Sequence, residues 1–173
     1  MRHLELAGVG VVAALLVALP HYSRQRQLSW FFYAAALGLL LFLLIPVVPD
    51  AIVHPRNGAR RWINLGIIDM QPSELMKIAF VLAMAAHLRY SDHYRRFGGL
   101  LVSLAVALPP MALILVEPDL GTAMLFGPAL LAMLIAAGAR WKHLGVIAVL
   151  AMVTAVGMWP LLQPRQKDRV HAL

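Results

Sequence analysis

Long apolar runs alternate with short polar joints along this chain. A bilayer core about 30 Å thick takes roughly 20 mostly apolar residues per helix. Six stretches meet that pattern, near residues 4–20, 28–49, 72–90, 97–116, 118–139 and 144–162. The second and fourth carry no charge, while the third holds Glu74 and Lys77 near its start. The pattern predicts an all-α, polytopic integral membrane protein of about six transmembrane helices. It forms a single transmembrane domain over residues 1–173 with one substantial outer loop, 50–71. The first stretch ends in Leu19-Pro20-His21-Tyr22, which is not a small-residue cleavage site, so it reads as a retained helix rather than a signal peptide.

Composition agrees. Of 173 residues, 61% are hydrophobic and 13% charged, and mean hydropathy is +0.77. A soluble domain of this size cannot hide that much apolar surface. Soluble enzymes, disordered tails and nucleic-acid-binding domains are thereby disfavoured, despite a net charge of +7. Cysteine is absent, which excludes a disulfide framework and a thiolate metal site.

The charge instead orients the spans. Arg24 and Arg26, then Arg89, Arg95 and Arg96, then Arg140 and Lys142 follow the first, third and fifth stretches. Short basic joints of this kind face the cytoplasm. The other side then holds the 50–71 loop, the Glu117-Pro118-Asp119 turn and the tail after Pro164. That side is itself basic, with Arg56, Arg60, Arg61, Arg165, Lys167 and Arg169.

Three motifs carry candidate chemistry. Asn57–Gly66 reads NGARRWINLG, placing Arg60 and Arg61 beside Trp62 at a membrane edge. A guanidinium fork matches phosphate or carboxylate, so a lipid pyrophosphate headgroup suits this loop. Simple interfacial anchoring by Arg and Trp fits it equally well. Gln71–Lys77 reads QPSELMK, with Pro72 as a helix start. Glu74 and Lys77, three apart, share one helical face. Ionisable groups within a span mark substrate cavities or proton relays by default, and a structural ion pair is the plainer alternative. In the third motif, Glu117-Pro118-Asp119-Leu120-Gly121-Thr122, the carboxylates suit a helix N-terminus, or can meet Arg60 or Arg61 across the outer surface. The seven histidines are scattered without metal-ligand spacing, and no metal site or cofactor is evident.

Taken in this order, NGARRWINLG, QPSELMKIA and EPDLGT resemble the SEDS family (shape, elongation, division and sporulation), which includes RodA and FtsW. The resemblance implies a peptidoglycan glycosyltransferase acting in cell-wall synthesis, cell shape or cell division. Such proteins polymerise lipid II at the outer face of the bacterial cytoplasmic (inner) membrane, with a class B penicillin-binding protein as partner. It implies substrate-binding roles for Arg60, Arg61, Trp62, Glu74, Lys77, Glu117 and Asp119, with membrane lipid but no nucleic acid as a further partner. It also implies a helix before the chain's first span, further helices after its last, and a catalytic carboxylate beyond Leu173. Two other functions fit the same residues: a flippase for the lipid-linked precursor, and a non-catalytic membrane remnant or partner.

Overall fold

The computed structural model describes residues 22–45, 48–49, 53–56, 59–64, 66, 69–90, 97–142 and 144–149. They are mostly helical. Helix α1 spans Tyr22–Leu43, α2 Pro72–Tyr90, α3 Phe97–Val116 and α4 Leu120–Ala136. Residues 144–149 are also helical. Two windows, Arg26–Leu43 and Gly98–Val116, are long and apolar enough to cross a membrane by length and composition. Helix α4 is as apolar but has 17 residues, and α2 has 19 and carries Glu74, Lys77, His87 and Arg89. The expected first span lies outside the described residues, as does most of the sixth.

The outer loop departs from the all-α expectation. Strands β1 (Val53–Arg56), β2 (Ala59–Asn64) and β3 (Asp69–Met70) form an antiparallel sheet in the order β1-β2-β3. Val53 and Ile63 are paired across it, and both are buried with Leu43 against Leu39, Phe42, Val48 and Met70. This small apolar cluster seats the sheet on the end of α1. Motifs rich in Gly and Arg conceal such a strand, because its apolar face among the described residues is carried by Val53, Ile63 and the half-buried Met70.

Helix α2 is the centre of the bundle and touches α1, α3, α4 and β2. Met76, Ala79, Phe80, Ala83 and Met84, spaced three and four apart, line its fully buried face. Phe80 packs against Phe126 of α4 in a tilted ring pair with centroids 5.0 Å apart. The small residues on that face let the neighbouring helices approach closely.

Helix α3 contains Pro109 and Pro110. Proline has no N–H, so Pro110 leaves the carbonyl of Val106 without its helical donor. The hydroxyl of Tyr33 on α1 fills the gap, donating to that carbonyl at 2.6 Å. Neighbouring helices commonly satisfy groups freed by proline within a membrane. Tyr33→Phe is therefore expected to cost about 1 kcal/mol. In a Pro110→Ala background the restored amide serves Val106, and the cost of Tyr33→Phe should fall below about 0.5 kcal/mol. Unfolding of the four variants in detergent measures this coupling, and equal costs in both backgrounds would refute it.

Helix α4 stops where Gly138 takes φ +83°, a region open to glycine. The amides of Gly138 and Ala139 reach back to the carbonyls of Ile135 and Leu134 at 2.9 and 3.0 Å. This is the Schellman pattern.

Candidate functional site

The site begins with a register shift. Arg60 lies opposite Pro55 and Trp62 opposite His54, so Arg61 is the extra residue of a β-bulge. Pro55 cannot donate to a ladder, and it sits on an edge strand where that loss is tolerated. The bulge sends the two adjacent arginines to different elements. Arg60 Nη2 donates to the carbonyl of Val48, just beyond α1. Arg61 instead reaches the turn between α3 and α4, 56 to 58 residues along the chain.

There, Arg61 Nε donates to the Glu117 carbonyl at 2.7 Å and Nη2 donates to the Pro118 carbonyl. Nη1 lies 3.8 Å from Asp119 Oδ1. Asp119 is also the N-cap of α4. It accepts from the Thr122 amide at 3.4 Å and from the Thr122 hydroxyl at 2.9 Å. Its Oδ2 further accepts from Gln71 Nε2 at 3.1 Å. Gln71 immediately precedes α2. Asp119 thus ties together β2, the entry to α2 and the start of α4.

Glu117 is buried, at 3% exposure, and its Oε1 has no hydrogen-bond partner among the described residues. Its carboxyl pKa is pushed up to about 8, first by burial and then by the negative charge of Asp119, against the opposing pull of Arg61. Near neutral pH Glu117 is therefore mostly protonated, and Arg61 and Asp119 balance each other.

Glu74 and Lys77 pair within the first turns of α2, Nζ to Oε2 at 2.8 Å. Their side chains are 57% and 32% exposed, so the pair remains accessible. Trp62 is half-buried on β2. The sequence-based candidates thus fall into two groups. Arg61 meets the turn that holds Glu117 and Asp119, where it reaches the carboxylate of Asp119 but only the backbone carbonyl of Glu117. Glu74 and Lys77 face each other, while Arg60 turns toward the end of α1. Gln71 and Thr122 join the site without being among the sequence-based candidates. The Asp119-x-x-Thr122 spacing signals the cap, whereas the contact from Gln71, 48 residues away, has no local signature.

These features define a mostly helical membrane protein whose bundle carries a small sheet docked on one end through a half-buried arginine and two buried acidic residues. The chain belongs to the FtsW/RodA/SpoVE family of cell cycle proteins, which it matches over residues 1–173. It is 35% identical over 142 residues to a probable peptidoglycan glycosyltransferase FtsW of Nitrosomonas europaea, covering 79% of this chain and 36% of that protein. To the peptidoglycan glycosyltransferase RodA of Treponema pallidum it is 32% identical over 154 residues, covering 89% and 34%. Among solved structures it resembles a chain of a peptidoglycan synthase complex studied for coordination of polymerization and crosslinking. That likeness has a TM-score of 0.72 at 33% identity, over 95% of this chain and 47% of the other. Thermus thermophilus RodA gives a TM-score of 0.64 at 32% identity, over 84% and 47%. The chain spans less than half the length of these relatives.

Proposed function

We propose that the protein carrying this chain is a peptidoglycan glycosyltransferase of the RodA/FtsW type, acting in cell-wall synthesis during growth or division. The observation that carries this reading is the family match along residues 1–173, joined to relatives named as peptidoglycan glycosyltransferases. The six apolar stretches are its spans, and the bacterial cytoplasmic membrane is its location. Its substrate is lipid II. A class B penicillin-binding protein is its partner, a reading supported by the likeness to a synthase complex that couples polymerization to crosslinking.

The chemistry is a glycosyl transfer. A sugar 4-hydroxyl oxygen bonds to the anomeric carbon as the bond from that carbon to the lipid pyrophosphate breaks. The hydroxyl proton passes to a carboxylate base, and the pyrophosphate leaves with the bonding electrons. Cations beside the leaving group stabilise its growing charge. Arg60 and Trp62 on β2, with Glu74 and Lys77 on α2, form the headgroup side, and Arg61, Glu117 and Asp119 support the outer face.

The intact protein, reconstituted in vesicles with lipid II, is expected to produce glycan strands. Movement of lipid II across the bilayer with no glycan product would identify a flippase and sink the polymerase reading.

A further inference from the structure

We infer that Arg61 and Asp119 are positioning residues. They dock β2 and the entry of α2 onto the turn between α3 and α4, and Arg61 does not itself bind the pyrophosphate. The expected effects on turnover rest on the glycosyltransferase reading.

Three observations carry the inference. All three nitrogens of the Arg61 guanidinium are already directed at protein oxygens: the carbonyls of Glu117 and Pro118 and the carboxylate of Asp119. The Nε and Nη2 edge that would grip a phosphate is therefore taken up by the two carbonyls, and Nη1 faces a carboxylate. An incoming phosphate would also meet the negative charge of Asp119 beside it, a repulsive neighbour in a poorly hydrated place. Lys77 differs, since its ammonium is partly exposed and pairs with Glu74 in an accessible contact. Second, two of the Arg61 contacts end on backbone carbonyls, which fix the position of the turn itself rather than of one side chain. Third, Asp119 gathers donors from three separate elements, Arg61 of β2, Gln71 before α2 and Thr122 of α4. Glu74 and Lys77 follow Gln71 by three and six residues. Loosening Asp119 therefore displaces the base of α2 and, through Arg61, the strand that carries Arg60 and Trp62.

Lysine cannot replace Arg61, because one ammonium cannot reproduce a fork directed at three oxygens. In the intact protein, in vesicles supplied with lipid II, Arg61→Ala, Arg61→Lys and Asp119→Asn are each expected to lower kcat about tenfold or more. KM for lipid II should stay within about twofold in each. The double variant Arg61→Ala/Asp119→Asn should lose less than the two single losses combined, because the two residues share one of their contacts. Gln71→Ala removes a single donor to Asp119 and should give a smaller loss of the same kind, which covers the case of an unfolded Arg61 variant. Amide exchange across residues 59–64 should quicken in Arg61→Ala.

The inference is overturned if Arg61→Ala raises KM about tenfold with kcat retained, which is the mark of a lost ligand contact. It is equally overturned if exchange at 59–64 is unchanged. Absence of glycan from the unmutated protein would instead remove the glycosyltransferase reading, and amide exchange would still decide the docking role.

Discussion

Glu74→Ala and Lys77→Ala are each expected to stop glycan polymerisation by the intact protein while leaving its insertion and thermal stability almost unchanged. The separation of these two effects follows from the pair's surroundings. Glu74 and Lys77 are three residues apart, in contact at 2.8 Å, and substantially exposed. An exposed helical pair of this kind contributes only about 0.2–0.5 kcal/mol. Their neighbours Ser73 and Met76 are buried and hold the helix in place without them. A fold this indifferent to the pair offers no structural route to a dead enzyme. In the proposed transfer, removing a cation from beside the departing pyrophosphate costs about 100-fold or more in kcat. Removing Glu74 leaves the ammonium free to swing away from that position. The measurement is strand formation from lipid II in vesicles, paired with a melting curve for each variant. Normal polymerisation by both variants would sink the assignment, and a melting point lowered in step with activity would recast the pair as structural.

Much of this geometry is legible in the sequence where the cause is local. Helix α2 begins at Pro72 because proline suits a first helical position. Helix α3 coincides with the uncharged run 97–116. Helix α1 begins earlier than its apolar run, at Tyr22, because Arg26, Gln27 and their neighbours are compatible with a helix even outside the apolar segment. It ends at Leu43 rather than near Pro49. Pro46 has no amide for the Phe42 carbonyl, which accepts instead from the Ile45 amide at 3.2 Å in a tightened last turn. What is not legible is long-range. Nothing in NGARRW announces a bulge that parts Arg60 from Arg61, since the register depends on Val53 and Ile63 finding each other. The convergence of Arg61, Gln71 and Thr122 on Asp119 depends on which helix ends lie side by side. Sequence allowed either a cap or an arginine partner for that carboxylate, and the structure gives it both.

Glu117→Gln is expected to stabilise the protein at and above neutral pH and to flatten its stability profile. Glu117 is buried beside Asp119, and its pKa stands at about 8 against an ordinary value of 4.5. The folded state therefore holds a proton that the unfolded state has released. Stability is highest below the unfolded value and falls as pH rises from about 4.5 toward 8, levelling off above it. The physical cause is charge count. With Glu117 protonated, the positive charge of Arg61 meets the single negative charge of Asp119. Once Glu117 ionises, two buried carboxylates share one guanidinium, and Oε1 has no donor among the described residues to offset its lost hydration. Glutamine keeps the shape and never ionises, so the gain over the parent should grow with pH to about 3 kcal/mol above pH 8. Asp119→Asn supplies the control for cause, because removing the second carboxylate should lower the pKa of Glu117 and shallow the slope. Melting curves of the intact protein in detergent between pH 5 and pH 9 read both effects. A Glu117→Gln variant that tracks the parent across that range would mean that Glu117 is ionised in the folded protein throughout, and that the cluster carries a net negative charge at the outer surface.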